Sequence, residues 1–366
     1  MSKLDTELER KLVQRQEENR LRTLMPPKNL IDFSSNDYLG LSELKEIQDL
    51  SSKIASSYPF VLGGKGSRLI SGNHSIYGDF EEWLAHFHGK ESALVFNSGY
   101  SANLGVFASL PQKGDRVIYD SLSHASIRDG LRLSLAGSFS FKHNDLNHLE
   151  DRLKQDWKGN TIIATESIFS MHGDRSPLKE ISGLAKKYGA EVWVDEAHAT
   201  GIIGNAGRGL VDELDLSQEI DLCIHTFGKA LGAHGAAVLS SNIKRNFLIN
   251  YARSFIYTTA LPPSSLADSW AAYTYMSGSE KERLSLFANV ELFSEAKNNS
   301  GPIQVFSGNG QNLSRVQSAL EESGFYAKAI LPPTVPLGEE RIRICIRANH
   351  SPKHILSLKK LLKSTN

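Results

Sequence analysis

The 366-residue sequence has few cysteines and no excess of charge of either sign. Both cysteines, Cys223 and Cys345, lie inside apolar stretches, which predicts reduced core thiols and a cytoplasmic protein without a disulfide framework. The 41 basic residues are balanced by 41 acidic ones. This balance argues against a nucleic-acid partner and against an anionic membrane surface as a partner.

The sequence also has no long apolar run and none of several common ligand motifs. No stretch approaches the ~20 apolar residues of a membrane-spanning helix, and the charged N-terminus does not resemble a signal or transit peptide. It contains no G-x-x-x-x-G-K-[ST] phosphate loop and no H-E-x-x-H zinc motif. The glycines of residues 204–209 run in the wrong order for a dinucleotide fingerprint.

What the sequence does contain, from residue 92 onward, is a regular alternation of short apolar strands and helical patterns. Such an alternation predicts an α/β fold with a mostly parallel, seven-stranded sheet covered on both faces. The last two strands are too close for a helical crossover, so the final one is expected to be antiparallel. The strand candidates are residues 93–96, 116–119, 138–141, 161–165, 191–194, 221–225 and 236–239.

Segments on either side of this alternation suggest three parts to the chain. Residues 4–24 carry a thin leucine stripe among charges, which predicts an amphipathic helix that docks on another surface. After Leu261-Pro262-Pro263, a long helix over 264–297, a helix over 313–323 and a strand over 341–346 predict a smaller α+β domain. We therefore expect an N-terminal segment (1–40), a large domain (41–260) and a small C-terminal domain (261–366).

Two polar motifs follow apolar strands and point to chemistry. Asp195 ends one strand, with His198 three residues on, and Lys229 follows another among small residues. Because the carboxyl ends of parallel strands share one edge of a sheet, Asp195 and Lys229 are expected to lie close together. A desolvated lysine can attack a carbonyl, and a carboxylate can keep a pyridine nitrogen protonated, so the pair suits pyridoxal 5′-phosphate (PLP).

The same motifs resemble those of the α-oxoamine synthases, a branch of the fold-type-I PLP-dependent transferases. The resemblance rests on Asp195-Glu196-Ala197-His198 and Thr226-Phe227-Gly228-Lys229. It extends from Asn36-Asp37-Tyr38-Leu39-Gly40 to Arg341-Ile342-Arg343. It implies condensation of an amino acid with an acyl thioester, with loss of CO2, in a homodimer whose active sites are shared between subunits. The late segment 332–336 favours the branch that joins L-alanine to a pimeloyl thioester in biotin synthesis, although glycine, serine and 5-aminolevulinate branches share the other motifs.

The resemblance also implies roles for individual residues. The implied catalytic residues are Lys229, His124, Asp195 and His198. The implied cofactor-binding residues are Gly99, Tyr100, His124, Glu166, Ser170, Asp195, His198, Thr226, Lys229 and Thr258, with Thr259 as a second candidate to Thr258. The implied substrate-binding residues are Arg22, Asn36, His124 and Arg343, with Arg341 as a second candidate to Arg343. No metal is implied. Arg347 departs from the family pattern and is expected to alter the substrate pocket, and His172 is given no role.

Taken without the resemblance, several of these residues have ordinary explanations. Residues 97–100 could form a simple strand-to-helix turn instead of a phosphate site, and a lone histidine such as His124 is more often structural. Asp195-Glu196-Ala197-His198 also spells the DEAH box of helicases, which requires an upstream phosphate-loop lysine that this sequence lacks. A zinc hydrolase and a catalytically silent binding protein are further alternatives.

Overall fold

The computed structural model describes residues 2–18, 20–24, 29–294, 301–332 and 334–365. The α-helices are α1 Lys3–Glu17, α2 Lys45–Ser56, α3 Ser75–Phe87, α4 Gly99–Ser109, α5 Ala125–Leu133, α6 Leu146–Leu153, α7 Leu178–Tyr188, α8 Leu210–Glu213, α9 Asn242–Tyr251, α10 Arg253–Ile256, α11 Pro263–Gly278, α12 Lys281–Phe293, α13 Gly310–Glu322 and α14 Pro352–Ser364. The strands are β1 Ile31–Asp32, β2 Ser92–Phe96, β3 Arg116–Asp120, β4 Gly137–Phe141, β5 Thr161–Glu166, β6 Glu191–Asp195, β7 Leu222–Thr226, β8 Ala236–Ser240, β9 Ile303–Ser307, β10 Phe325–Tyr326, β11 Lys328–Ile330 and β12 Arg341–Cys345.

A seven-stranded sheet in the order β2-β8-β7-β6-β5-β3-β4 forms the centre of the molecule. The strands from β7 to β4 are paired in parallel. Strand β8 is antiparallel to both of its neighbours, β7 and β2. The predicted α/β fold, its seven strands and the antiparallel final strand are therefore confirmed.

Alternating side chains of the strands enter two separate hydrophobic cores. Leu94, Trp193 and Ile224 point to the core that includes residues of α4 and α5. Their neighbours Val95 and Val194 point to the opposite core, which includes residues of α3, α7 and α11. Because both faces are covered, β2, β5, β7 and β8 are buried along their whole length, which explains their continuous apolar sequences.

The register of the parallel strands brings the polar strand ends together. Glu166 at the end of β5 lies opposite Asp195 at the end of β6. Asp195 lies opposite Ile224 of β7, so the loop after Thr226 starts at the same edge. The carboxyl edge of the sheet therefore collects the residues that sequence reasoning singled out.

Two smaller sheets are built from the remaining strands. Strands β11, β12 and β9 form an antiparallel sheet in that order, and β1 pairs in parallel with β10. Helix α13 packs on strands β10, β11 and β12, and helices α12 and α14 contact each other. The α+β character of the C-terminal region is as predicted, while the domain boundaries at residues 40 and 260 stay a prediction.

Two predicted helices differ from the structure. The helix expected over residues 4–24 ends at Glu17, and Arg22 instead donates from Nη2 to Thr334 Oγ1 over 3.0 Å. The helix expected over 264–297 is two helices, because Ser279 adopts an extended backbone (φ −131°, ψ 131°) directly after Gly278. Glycine is a poor helix former, and the Ser279 hydroxyl donates to Glu282 at the start of α12. Residues 295–297 lie outside the described residues.

Both cysteines are buried and unpaired, as predicted. Across the part of the chain that the structure describes, every helix is too short or too polar to span a bilayer.

Candidate active site

A cavity of about 240 Å³ opens at the carboxyl edge of the large sheet. Eight of the residues implied by the sequence line it: Gly99, Tyr100, His124, Glu166, Asp195, His198, Thr226 and Lys229. Its other lining residues are Ser98, Asn103, Ser126, Ala197, Gly228, His234 and Gly235. The cavity therefore brings together a lysine, two carboxylates and three imidazoles from the carboxyl ends of strands β3, β5, β6 and β7.

Lys229 stands on a tight loop between β7 and β8. Phe227 N–H donates to Gly235 O over 2.9 Å, and Ala233 N–H donates to Phe227 O over the same distance. Gly235 has φ +119° and lies against the Phe227 ring, so only glycine closes this loop without strain. Desolvation lowers the pKa of Lys229, and the carboxylates of Asp195 and Glu166 oppose that shift. A lowered pKa increases the fraction of free amine, which is the reactive form.

Asp195 is buried at the end of β6, and two donors fix its carboxylate. Asn103 Nδ2, from α4, donates to Oδ2 over 2.7 Å, and Ala197 N–H donates to Oδ1 over 2.9 Å. The carboxylate is thus held at one wall of the cavity in a single orientation. Asn103 has no local sequence signal, because its partner is 92 residues away.

Glu166 is a second buried carboxyl group, next to Asp195 in the strand register. Its Oε1 accepts the backbone N–H of His124 over 2.6 Å. Desolvation, and then the charge of Asp195, raise the pKa of Glu166, while Lys229 acts in the opposite direction. Glu166 thus ties the loop that carries His124 to the end of β5.

His124 caps the N-terminus of α5 with its own side chain. Its Nδ1 accepts the backbone N–H of Ser126 over 3.3 Å and lies 2.7 Å from Ser126 Oγ. Partial desolvation at the cavity mouth lowers the pKa of His124, with Asp195 opposing that shift and Lys229 reinforcing it. A neutral, oriented imidazole is the flat group that can cover an aromatic ring.

His198 is buried and bonded through one ring nitrogen. Its Nδ1 lies 2.7 Å from the Tyr38 hydroxyl. Desolvation, together with the charges of Lys229 and Arg343, lowers the pKa of His198, so the ring is neutral. Tyr38 is fully buried beside this ring. Its contact with His198 could not be seen in the sequence.

The start of α4 forms a narrow cradle beside Thr226. Ser98 Oγ accepts the N–H of Ser101 and caps the helix. A Cβ atom at Gly99 would lie 2.4 Å from Thr226 Cγ2. The position therefore requires glycine, and among the described residues the backbone N–H groups of Gly99 and Tyr100 remain open for an anion.

These observations test whether the residues present fit PLP. The cavity offers an amine of lowered pKa (Lys229), a fixed carboxylate (Asp195), a neutral imidazole (His124) and a helix N-terminus that no side chain covers at Gly99. Those are the groups that the aldehyde, the ring nitrogen, the ring face and the phosphate of PLP require. The residues fit the cofactor.

Several residues that the sequence implied do not line the described cavity. Ser170 contributes its carbonyl oxygen, which accepts from Arg343 Nε over 2.7 Å. Thr258 accepts from Asn97 Nδ2 over 3.1 Å. Arg22 is exposed and bonded to Thr334. Their roles toward cofactor or substrate stay predictions.

The two arginines of β12 face the same side, as the strand alternation predicts. Arg343 reaches the carbonyl of Ser170, and Arg341 Nη1 reaches that of Met171 over 3.3 Å. Arg343 Nη2 also donates to Asn36 Oδ1 over 2.9 Å. Asn36 and Arg343 are thus in direct contact, next to the Tyr38–His198 pair.

Arg347 and His172 lie outside the cavity lining. Arg347 is buried and donates to the carbonyl and the Oδ2 of Asp37, over 2.9 and 3.0 Å. The residue therefore acts on the segment that precedes Tyr38. His172 Nε2 lies 3.9 Å from Glu339.

The structure also tests the helicase and zinc readings of residues 195–198. Glu196 is fully buried, and its two carboxylate oxygens accept the N–H groups of Leu210 and Val211. It anchors the chain after the motif. In the described ranges no three His, Cys, Asp or Glu side chains are grouped to hold a metal ion.

Comparison with known proteins decides the family. The profile of the family described as "Aminotransferase class I and II" matches residues 28–360. The chain belongs to this family. Among curated relatives, an 8-amino-7-oxononanoate synthase from Citrifermentans bemidjiense is 40% identical over 347 residues, which cover 91% of this chain and 88% of the relative.

Two solved structures are similar over most or all of this chain. A serine palmitoyltransferase variant from S. paucimobilis with bound PLP and myriocin has a TM-score of 0.91 at 27% identity, covering 100% of this chain and 98% of its own. An 8-amino-7-oxononanoate synthase from Francisella tularensis has a TM-score of 0.78 at 28% identity, and the match covers 92% of this chain and 97% of that one. The chain is thus a PLP-dependent enzyme of the acyltransferase type, an α-oxoamine synthase, as the motifs predicted.

Proposed function

We propose that the protein condenses L-alanine with a pimeloyl thioester, carried by coenzyme A or by an acyl carrier protein, to give 8-amino-7-oxononanoate, CO2 and the free thiol in biotin biosynthesis. The observation that carries the proposal is the cavity lined by both Lys229 and Asp195. The chain is also 40% identical to a relative named 8-amino-7-oxononanoate synthase. The similarity to serine palmitoyltransferase makes serine, with a longer acyl chain, the second candidate.

In this proposal the cavity residues hold the cofactor. Lys229 Nζ holds the aldehyde, Asp195 keeps the pyridine nitrogen protonated and His124 covers the ring face. His198 bonds the phenolic oxygen. The phosphate is held by Gly99, Tyr100 and Thr226, with Ser170 and Glu166 supporting the site.

The chemistry is divided between the cofactor and the chain. When bound, PLP supplies an electron sink for a carbanion at the substrate α-carbon. Lys229 would remove the α-proton as general base, a role favoured by the desolvation that lowers the pKa of its amine. Arg343, with Asn36 beside it, holds the amino-acid carboxylate, and guanidinium suits that task because it bonds carboxylates in a bidentate manner. Arg22 holds the distal carboxylate of the acyl chain.

We propose a homodimer as the working form, because the family implies sites shared between subunits. Thr258, or Thr259, would then bond the phosphate bound in the other subunit. The division into parts 1–40, 41–260 and 261–366 belongs to the same proposal, with the first part packing on the other subunit.

Replacement of the lysine tests the proposal. We expect Lys229→Ala to lose the visible absorbance of covalently held PLP and to lose product formation, measured by mass spectrometry after incubation with L-alanine and pimeloyl thioesters. Lys244→Ala is the matched control, because Lys244 pairs with Glu191 away from the cavity. A wild-type spectrum in Lys229→Ala would contradict the assignment. A spectral response to serine or glycine, but not to alanine, would favour a different substrate.

A further inference from the structure

The hydroxyl of Tyr38 lies at the centre of a buried group of polar side chains beside the cavity. It is 2.7 Å from His198 Nδ1 and 3.1 Å from Asn36 Oδ1. Arg343 Nη2 donates both to this hydroxyl, over 3.3 Å, and to Asn36 Oδ1, over 2.9 Å. The four side chains come from the N-terminal segment, the loop after β6 and strand β12. They connect the proposed carboxylate-binding arginine to the proposed cofactor-binding histidine.

The proton count at Tyr38 decides which nitrogen of His198 is protonated. The hydroxyl has one proton and two acceptors within reach, Asn36 Oδ1 and His198 Nδ1. Asn36 Oδ1 already accepts from the guanidinium of Arg343. Because an amide oxygen can accept two hydrogen bonds, distance decides: His198 Nδ1, at 2.7 Å, is nearer to the hydroxyl than Asn36 Oδ1, at 3.1 Å, and we assign the tyrosine proton to His198. The neutral imidazole then carries its proton on Nε2, the nitrogen without a hydrogen-bond partner among the residues that the structure describes, and His198 lines the cavity.

A carboxylate at Arg343 changes this count. Arg343 makes four side-chain or carbonyl contacts, to Ser170 O, Cys345 Sγ, Asn36 Oδ1 and Tyr38 Oη. A bidentate carboxylate needs two adjacent N–H groups, so it must take donors from that set. Once Nη2 turns to the ligand, Asn36 Oδ1 loses its guanidinium donor and keeps the weaker thiol of Cys345, at 3.9 Å, so it competes with His198 for the tyrosine proton. An unmade buried hydrogen bond is costly, which drives the exchange.

We propose that Tyr38 is a positioning residue that presents the Nε2 proton of His198 to the cofactor, and that it releases His198 when the carboxylate of the amino-acid substrate engages Arg343. The proposal rests on the proposed function. It extends that function, because it links occupation of the carboxylate site to the protonation of the cofactor. No covalent bond is made or broken in this exchange: the Tyr38 O–H turns from His198 Nδ1 to Asn36 Oδ1, and Arg343 Nη2 turns from Asn36 to the ligand.

The pH titration of the visible spectrum of the holoenzyme measures the effect without turnover. A donor to the phenolic oxygen stabilises the deprotonated form of the bound cofactor and lowers its pKa. We expect Tyr38→Phe to raise that pKa by about 0.5–1 unit, the shift that one neutral hydrogen bond produces. Tyr273→Phe is the matched control, because its buried hydroxyl contacts His88 at 3.3 Å outside the site. We expect no shift in the control.

The second arm adds propionate, a carboxylate without an amine. In the wild type it should raise the cofactor pKa through its own charge and through the release of His198. In Tyr38→Phe only the charge effect remains, so the propionate-induced shift should be about half as large or less. Equal shifts in both proteins, or an unchanged cofactor pKa in Tyr38→Phe, would overturn the proposal.

These results stay separate from the test of the proposed function. A wild type that binds no PLP, or that makes no amino ketone from L-alanine, would defeat the function itself. If the wild type binds PLP and makes the amino ketone, but the cofactor pKa is the same in Tyr38→Phe and the wild type, only the role of Tyr38 is defeated. A 15N-histidine spectrum supports the role if the Nδ1 and Nε2 shifts of His198 exchange on substitution of Tyr38.

Discussion

Asp195 shows how a single side chain can be fixed before any ligand arrives. Its two carboxylate oxygens are each satisfied by one donor, Asn103 Nδ2 and Ala197 N–H. Because the carboxylate is orientated by the protein itself, it does not need to reorganise when a ligand binds. Electrostatic groups of this preorganised kind contribute most where they face a developing charge.

Asp195→Asn should therefore impair catalysis more than binding. The amide keeps the shape but cannot hold a pyridinium proton, so we expect kcat to fall by about 100-fold or more, while the thermal midpoint changes little. Asp221→Asn is the control, because Asp221 accepts the Val192 N–H at the opposite end of the sheet. Steady-state kinetics at saturating L-alanine give the answer, and equal kcat values for Asp195→Asn and the wild type would refute the role.

The sequence anticipated which side chains meet in the cavity where strand ends carry a motif, and missed contacts whose partners come from elsewhere. Lys229, Asp195, His198 and His124 could be found because each follows an apolar strand. Asn103 and Tyr38 could not, since their contacts join residues 92 and 160 positions apart. Arg347 was expected to alter the pocket, but only the structure shows that it holds Asp37.

At the scale of secondary-structure elements, His143 connects three of them. It follows β4, and its Nδ1 lies 3.0 Å from Asp120 at the end of β3. Its Nε2 lies 2.7 Å from Asp174, in the loop after β5. A protonated imidazole between two carboxylates thus joins the loops that carry His124 and Ser170.

This bridge predicts a pH dependence of stability. Burial alone would lower the pKa of His143, but hydrogen bonds and charges from Asp120 and Asp174 raise it to about 9. The unfolded value is about 6.5. The stabilisation is therefore complete below about pH 6.5 and is lost as the pH rises through 9, by about 2 kcal/mol after a discount for partial exposure.

Chemical denaturation at pH 6 and pH 9.5 checks this expectation. In His143→Gln, the free energy of unfolding should differ much less between pH 6 and pH 9.5 than it does in the wild type. His148→Gln should retain it, because His148 Nδ1 accepts only the Lys142 N–H among the bonds described. An equal pH dependence in wild type and His143→Gln would show that the bridge does not contribute.

Element boundaries were the weakest part of the prediction from sequence. Apolar periodicity located α11 and α12 but missed the break at Ser279, because one extended residue leaves the hydrophobic pattern intact. Helix α1 was predicted too long because its leucine stripe continues beyond the helix to Leu21. In the structure the helix ends at Glu17, and Arg22, further along the chain, donates a hydrogen bond to Thr334.

At the scale of the whole molecule, α1 stands apart from both cores. A capping box of Ser2 and Asp5 stabilises its start, yet none of its residues is buried. Leu4, Leu8 and Leu12 are 63%, 48% and 54% exposed. We expect this stripe to pack on the second subunit of the proposed homodimer.

Leu8→Gln combined with Leu12→Gln should weaken the dimer at least tenfold. Each buried leucine contributes about 1.5–3 kcal/mol, and about 1.4 kcal/mol corresponds to a factor of ten in Kd. The control is Glu7→Gln with Lys11→Gln, which removes an exposed ion pair on the neighbouring face. Sedimentation equilibrium measures the dimer Kd of the double leucine variant and of the control. A double leucine variant that dimerises like the wild type would place α1 outside the interface.

The position of β8 between β2 and β7 has a consequence for how the chain folds as it is synthesised. In the large sheet β2 is hydrogen-bonded only to β8, with Ser92 opposite Ser240. The parallel strands can assemble in the order in which they leave the ribosome, but β2 must wait until residue 240 has emerged. Strand β2, which leads into the proposed phosphate site at Gly99, is thus among the last strands to be paired, so a nascent chain that ends before residue 240 cannot complete this site.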